Sequence, residues 1–142
     1  MSHLHGEFHH KLDAKGRLSL PSAFRKSLTS DVLVLTPSPR NDCLYAFEPN
    51  DFDNWIVALF EKDGGFSASN ERHVALRKAL NARAFDVEID ASGRIGLTSS
   101  VREKLGMQRE VVVVGDSDHF EIWNPQDWEQ FALNIDLGEL FF

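Results

Sequence analysis

Two five-residue words hold the side chains in this chain best suited to chemistry: DAKGR at 13–17 and DASGR at 90–94. Aspartate at the head of such a word accepts backbone N–H bonds, and glycine in fourth place admits a left-handed residue. Each word therefore suits a type I hairpin turn followed by a bulge, structured by Asp13 and Gly16 in one case and by Asp90 and Gly93 in the other. The turn does not need the arginine, because any strand-forming residue would serve at position 17 or 94. A guanidinium adds a planar fork of donors that matches phosphate oxygens or a guanine edge. Arg17 and Arg94 in duplicated positions would make a paired basic surface, and Lys11, Lys15, Arg25 and Lys26 crowd the first copy.

Other reactive types form no constellation. His3, His5, His9 and His10 gather near the start, but no HExxH, paired CxxC, glycine-rich phosphate loop or GxSxG accompanies them. His9 and His10 fall on opposite faces of a strand, His3 and His5 are expected in a mobile terminus, and His73 and His119 read as ordinary helix and turn residues. The expectation is no enzyme, no metal and no cofactor. Cys43 is the only cysteine, which excludes an intramolecular disulfide and fits a reducing compartment. Within CLYAF it reads as a small buried apolar group. No apolar run approaches the roughly 20 residues of a membrane helix, and no secretory segment follows the start.

The elements that must position the two words are themselves duplicated. At an offset of 77, Phe8 falls on Phe85, Leu12 on Ile89, Leu18 on Ile95, Leu20 on Leu97, Arg25 on Arg102 and Leu28 on Leu105. Further along the offset becomes 76, with Pro49 on Pro125 and Asp51 on Asp127. The chain reads as two copies of one unit, 6–60 and 83–135, joined by a helical bridge at 61–82. Each copy opens with period-two alternation, a strand with one buried face. The word follows, and the strand resumes as RLSL or RIGL, with Leu18, Leu20, Ile95 and Leu97 inward and the arginines outward. A short helix comes next (SAFRKSL or SVREKL, the latter stopped by Gly106), then a hairpin, then an aromatic helix from about Asn50 or Asn124. One copy is too small to bury its strands, whereas two complete each other, side by side or with exchanged hairpins. The tail LGELFF is expected to dock on its own domain.

The formal charge of −7 is unevenly spread. Residues 1–30 carry +3 and residues 67–110 carry +2, while 31–66 carry −5 and 111–142 carry −7. Both words lie in basic segments, and local potential governs the approach of a polyanion.

KLDAKGRLSLPSAFRKSL and VEIDASGRIGLTSSVREKLG, each followed by a hairpin and an aromatic helix, resemble the MraZ family over roughly residues 6–135. These are bacterial proteins with two AbrB/SpoVT-like units in tandem. The resemblance implies a mainly β fold with short helices (α+β), built as two swapped-hairpin β-barrel units about a pseudo-two-fold and assembled into a ring-like homo-oligomer. It also implies a sequence-specific regulator that binds double-stranded promoter repeats of the division and cell-wall gene cluster, in the cytoplasm and associated with the nucleoid. On this resemblance the DNA-binding residues are Lys15, Arg17, Arg25 and Arg94. The second copy departs from the first, with Gly96 for Ser19, Thr98 for Pro21 and Ser92 for Lys15, so the first copy is expected to lead. The rival reading is an oligomeric scaffold or antitoxin-like module without a DNA site of its own.

Overall fold

Alternating apolar residues produce eight short strands, described here from a computed structural model that covers residues 3–142. The first copy runs β1 (Glu7–Lys11), β2 (Arg17–Ser19), α1 (Ser22–Ser27), β3 (Val32–Pro37), β4 (Leu44–Phe47) and α2 (Pro49–Leu59). A 3₁₀ turn (Glu61–Asp63) and α3 (Glu71–Ala82) form the bridge. The second copy repeats the order: β5 (Phe85–Glu88), β6 (Arg94–Gly96), α4 (Ser99–Lys104), β7 (Glu110–Gly115), β8 (Phe120–Trp123) and α5 (Pro125–Leu133). A last turn, α6 (Gly138–Phe141), ends the chain. Local chemistry sets the boundaries. Pro49 and Pro125 open α2 and α5, where a missing N–H costs nothing. Thr98 caps α4 through Val101 N–H, Asn70 caps α3, and Gly106 ends α4 at φ +65°.

Strands flanking each DxxGR word do not pair with each other as a local hairpin; they diverge into the other copy. Six strands form one antiparallel sheet in the order β1-β7-β8-β4-β3-β5, and β2 pairs with β6 in a separate two-stranded ribbon. β1 of the first copy thus lies on β7 of the second, and β5 of the second lies on β3 of the first. Two pairings fall on an approximate two-fold axis, because Leu18 faces its own equivalent Ile95, and Tyr45 faces its equivalent Glu121. The pattern of alternation is satisfied equally by a local or an exchanged partner. Exchange gives each half the cover that neither can supply alone.

The main core fills the space between ribbon and sheet: Leu18, Leu20, Ile95 and Leu97 meet Leu33, Leu35, Leu44, Val111, Val113, Phe120 and Ile122, with Phe24 of α1 beside them. Burying Leu18 and Ile95, both essentially inaccessible, contributes about 1.5–3 kcal/mol each. Residues of opposite parity point through the sheet. Val34 and Phe47 pack under Phe52 and Ile56 of α2, and Val112, Trp123 and Cys43 pack under Trp128 of α5. The fold is α+β in three layers, with α1, α4 and the ribbon on one face of the sheet and α2 and α5 on the other. No helix among the described residues is long and apolar enough to cross a membrane.

Two local expectations are corrected. The chain is tied down at Leu4, which is buried and exchanges two backbone hydrogen bonds with Ser117, while His3 and His5 on either side of it are exposed. The tail does not dock: Leu137, Leu140, Phe141 and Phe142 are all well exposed, because α6 is one turn long and meets no sheet face. His73 lies on α3 and His119 on the β7–β8 turn, the helix and turn positions expected, and both are buried, the first between Phe60 and Phe66 and the second against Tyr45 and Phe47.

Candidate nucleic-acid interface

Each DxxGR word closes a turn of the same geometry. Gly16 N–H donates to the Asp13 carbonyl at 3.0 Å, and Asp13 N–H donates to the Arg17 carbonyl at 3.0 Å. The corresponding distances at Asp90, Gly93 and Arg94 are both 2.9 Å. Asp13 Oδ1 accepts from the backbone N–H groups of Lys15 and Arg17, and Asp90 Oδ1 accepts from those of Ser92 and Arg94. The glycines stand at φ +77° and +75°, a region that L side chains avoid. The second carboxylate oxygen holds the arginine, with Arg17 Nε donating to Asp13 Oδ2 at 2.7 Å and Arg94 Nε donating to Asp90 Oδ2 at 3.0 Å. The backbone N–H of the arginine, followed by its guanidinium, holds each aspartate carboxyl below the ordinary value. Each aspartate therefore fixes the turn with one oxygen and the arginine stem with the other.

Strand exchange brings the two turns together. In the ribbon Arg17 faces Gly96 and Arg94 faces Ser19, so both arginines rise from the face opposite Leu18 and Ile95. Arg94 Nη1 also lies 3.9 Å from Asp13 Oδ2, which links the two copies across the ribbon. Backbone bonds clamp the turns from behind. Leu20 N–H donates to the Gly93 carbonyl and Leu97 N–H donates to the Gly16 carbonyl, each reaching into the other copy.

Lys15 is exposed at the tip of the first turn, and its counterpart Ser92 is exposed without charge. Arg25 is exposed on α1 and lies over the second turn, close enough that a β-carbon on Gly93 would run into its guanidinium. Arg102 of α4 lies likewise over the first turn and donates from Nε to the Leu97 carbonyl at 3.1 Å. The structure thus gathers Lys15, Arg17, Arg25 and Arg94 with their turn residues on one surface. Reading the sequence for isolated basic clusters passes over Arg102, although the offset of 77 sets it on Arg25 and so carried the signal.

An antiparallel ribbon with outward arginines, clamped by two copies of one turn, defines a class: tandem swapped-hairpin β proteins whose DxxGR turns form one basic surface. The chain belongs to the MraZ family. The family model described as MraZ protein, with an antitoxin-like label, matches residues 3–76 and 80–138. Among similar proteins, "Transcriptional regulator MraZ" of Dehalococcoides mccartyi is 40% identical over 124 residues, covering 87% of this chain and 84% of that one. The protein of the same name from Thermomicrobium roseum is 36% identical over 87% of this chain and 82% of its own. That of Corynebacterium urealyticum is 34% identical over 89% and 85%.

Proposed function

We propose that this chain is a transcriptional regulator that binds double-stranded DNA through the outer face of the β2–β6 ribbon. The pairing of Arg17 and Arg94 on that face, each stem fixed by an aspartate, is the observation that carries the reading. The major groove admits a two-stranded ribbon, and arginine forks recognise guanine edges or phosphates there. The fold also separates charge. Arg25, Lys26, Arg102 and Lys104 of α1 and α4 share the ribbon's side of the sheet. The acids Asp53, Asp127 and Glu129 lie on α2 and α5, across the sheet. A chain of net charge −7 can in this way offer a polyanion a basic face.

The names of the relatives support regulation of transcription. We extend the reading to promoter repeats of the division and cell-wall gene cluster, in a cytoplasmic, nucleoid-associated protein. The exposed apolar side chains of the tail, Leu137, Leu140, Phe141 and Phe142, support self-association into a ring-like homo-oligomer that would cover them. A salt-titrated binding assay on the gene's own upstream DNA tests the reading. Affinity should fall steeply with salt and exceed that for scrambled DNA. Equal, salt-insensitive binding of both DNAs would leave the scaffold as the better account. Native mass spectrometry should report a mass several times 16.1 kDa.

A further inference from the structure

On and beside the β7–β8 turn three side chains converge: Asp116, His119 and Glu121, with donor atoms all within 4.8 Å of one another. We propose that these residues bind one divalent transition-metal ion of the zinc type. His119 and Glu121 are each more than nine-tenths buried, while Asp116 is exposed at the rim. A cavity of about 620 Å³ touches Asp116 and Glu121 and provides a route for the ion and for water ligands.

Distances between the donors suit a shared ion. His119 Nε2 lies 2.8 Å from Glu121 Oε2 and 3.7 Å from Asp116 Oδ2. Donors about 2.0–2.2 Å from zinc stand roughly 2.9–3.5 Å apart when their angle lies between a right angle and the tetrahedral one. The buried pair is therefore close to ligand separation already, and the exposed Asp116 needs only a side-chain adjustment. The ion would sit beside the Nε2···Oε2 line, so the imidazole and the carboxylate turn slightly to face it, and binding releases the proton they share.

The surroundings engage the remaining polar atoms of the two buried side chains and leave Nε2 and Oε2 for an ion. Asp118 Oδ1 accepts the Nδ1–H of His119 at 2.7 Å, the arrangement by which a carboxylate behind a metal-bound imidazole fixes its tautomer and ring. Trp123 Nε1 donates to Glu121 Oε1 at 2.9 Å, and Cys43 Sγ lies 3.8 Å from the same oxygen. Oε1 is thereby engaged, and Oε2 is the oxygen turned toward His119. Tyr45 and Phe47 pack their rings 4.3 and 4.9 Å from the imidazole and hold its plane. An imidazole with two carboxylates favours Zn²⁺, Co²⁺ or Ni²⁺ over Mg²⁺ or Ca²⁺.

The test uses the full chain, stripped with chelator and titrated with Co²⁺ and then Zn²⁺. Cobalt absorption reads the coordination and calorimetry reads the stoichiometry. One ion per chain should bind, Zn²⁺ should displace Co²⁺, and excess Mg²⁺ should not. His119→Gln should lose at least about a hundredfold in affinity. Asp118→Asn, at a positioning residue, should lose about 10–100-fold. Replacing His3, His5 and His9 together by Asn should change nothing. The proposal is overturned if folded wild-type protein binds no stoichiometric ion, a measurement that needs no variant. It is equally overturned if binding survives His119→Gln or disappears with the three N-terminal histidines.

Discussion

The two DxxGR turns share a backbone and differ in electrostatics. Asp13 accepts from Arg17 and also lies within 3.9 Å of Arg94, whereas among the described residues Asp90 pairs with Arg94 alone. Arg94 thus lies between two carboxylates and Arg17 beside one. Lys15 adds a positive charge at the first tip, and Ser92 adds none at the second. Across the ribbon Arg17 meets Gly96, with no side chain, while Arg94 meets Ser19. The two copies share the scaffold of the turn, and point differences leave the first guanidinium less neutralised and less hemmed in.

Breaking the arginines one at a time gives the largest contrast. Arg17→Ala should weaken DNA binding more than Arg94→Ala. The loss is about 1–3 kcal/mol per engaged subunit for a base contact, or about one unit of salt slope for a phosphate contact. In the proposed oligomer, several subunits on repeated sites would multiply it. Binding isotherms across a salt series, with folding checked by circular dichroism, decide it, and equal losses at both positions would erase the asymmetry.

The glycines sharpen the comparison through stability. A β-carbon on Gly16 would stand 2.8 Å from the Leu97 carbonyl oxygen, part of the backbone, whereas one on Gly93 would meet the movable end of Arg25. Both substitutions place an L residue in the left-handed region, at roughly 1–2 kcal/mol. Gly16→Ala should therefore destabilise more than Gly93→Ala in urea unfolding, and the reverse order would mean that Arg25 is the more rigid neighbour.

Acid should loosen both turns alike. Asp13 and Asp90 are held below the ordinary value of 3.8 by the backbone N–H of the arginine first and its guanidinium next. A depressed folded value makes the contribution complete above the unfolded value and lost as pH falls through the folded one. The acid limb therefore opens below about pH 4. Asp13→Asn and Asp90→Asn should each flatten it while keeping an acceptor for the turn, and Asp→Ala should also lower stability at neutral pH. An acid limb unchanged in both Asn variants would assign it to other carboxylates. The smallest change is Ser92→Lys, which restores the missing tip charge and should steepen the salt slope by at most about one unit.

Much of this architecture is written in local pattern. Leu18, Leu20, Ile95 and Leu97 were readable as inward because strand alternation has period two, and Gly106 and Thr98 mark helix ends by their own chemistry. The partners of β1 and β5 are not legible locally, since an exchanged strand and a neighbouring one satisfy the same alternation. His119 escaped for a related reason. Asp116, Asp118 and Glu121 look like a solvated turn until β4 pairs with β8 and lays Tyr45 over the imidazole. The tail misled because apolar composition says a surface wants cover without saying where the cover is.

Strand exchange also governs the order in which the molecule can be made. On the ribosome β1 emerges early, yet Lys11 pairs with Glu110 and Glu7 with Val114, so it must wait for most of the chain. β3 waits for β5 in the same way, through Leu35 with Phe85 and Val32 with Glu88. A nascent first half thus leaves the exit tunnel with β1, β3 and β4 each lacking a partner strand and with a ribbon lacking its second strand. Pairings so distant in sequence form slowly, and exposed edges invite neighbouring chains during the delay. The same dependence couples the turns: neither is clamped until both have been synthesised, so a truncated product carries the first arginine without the surface that presents it.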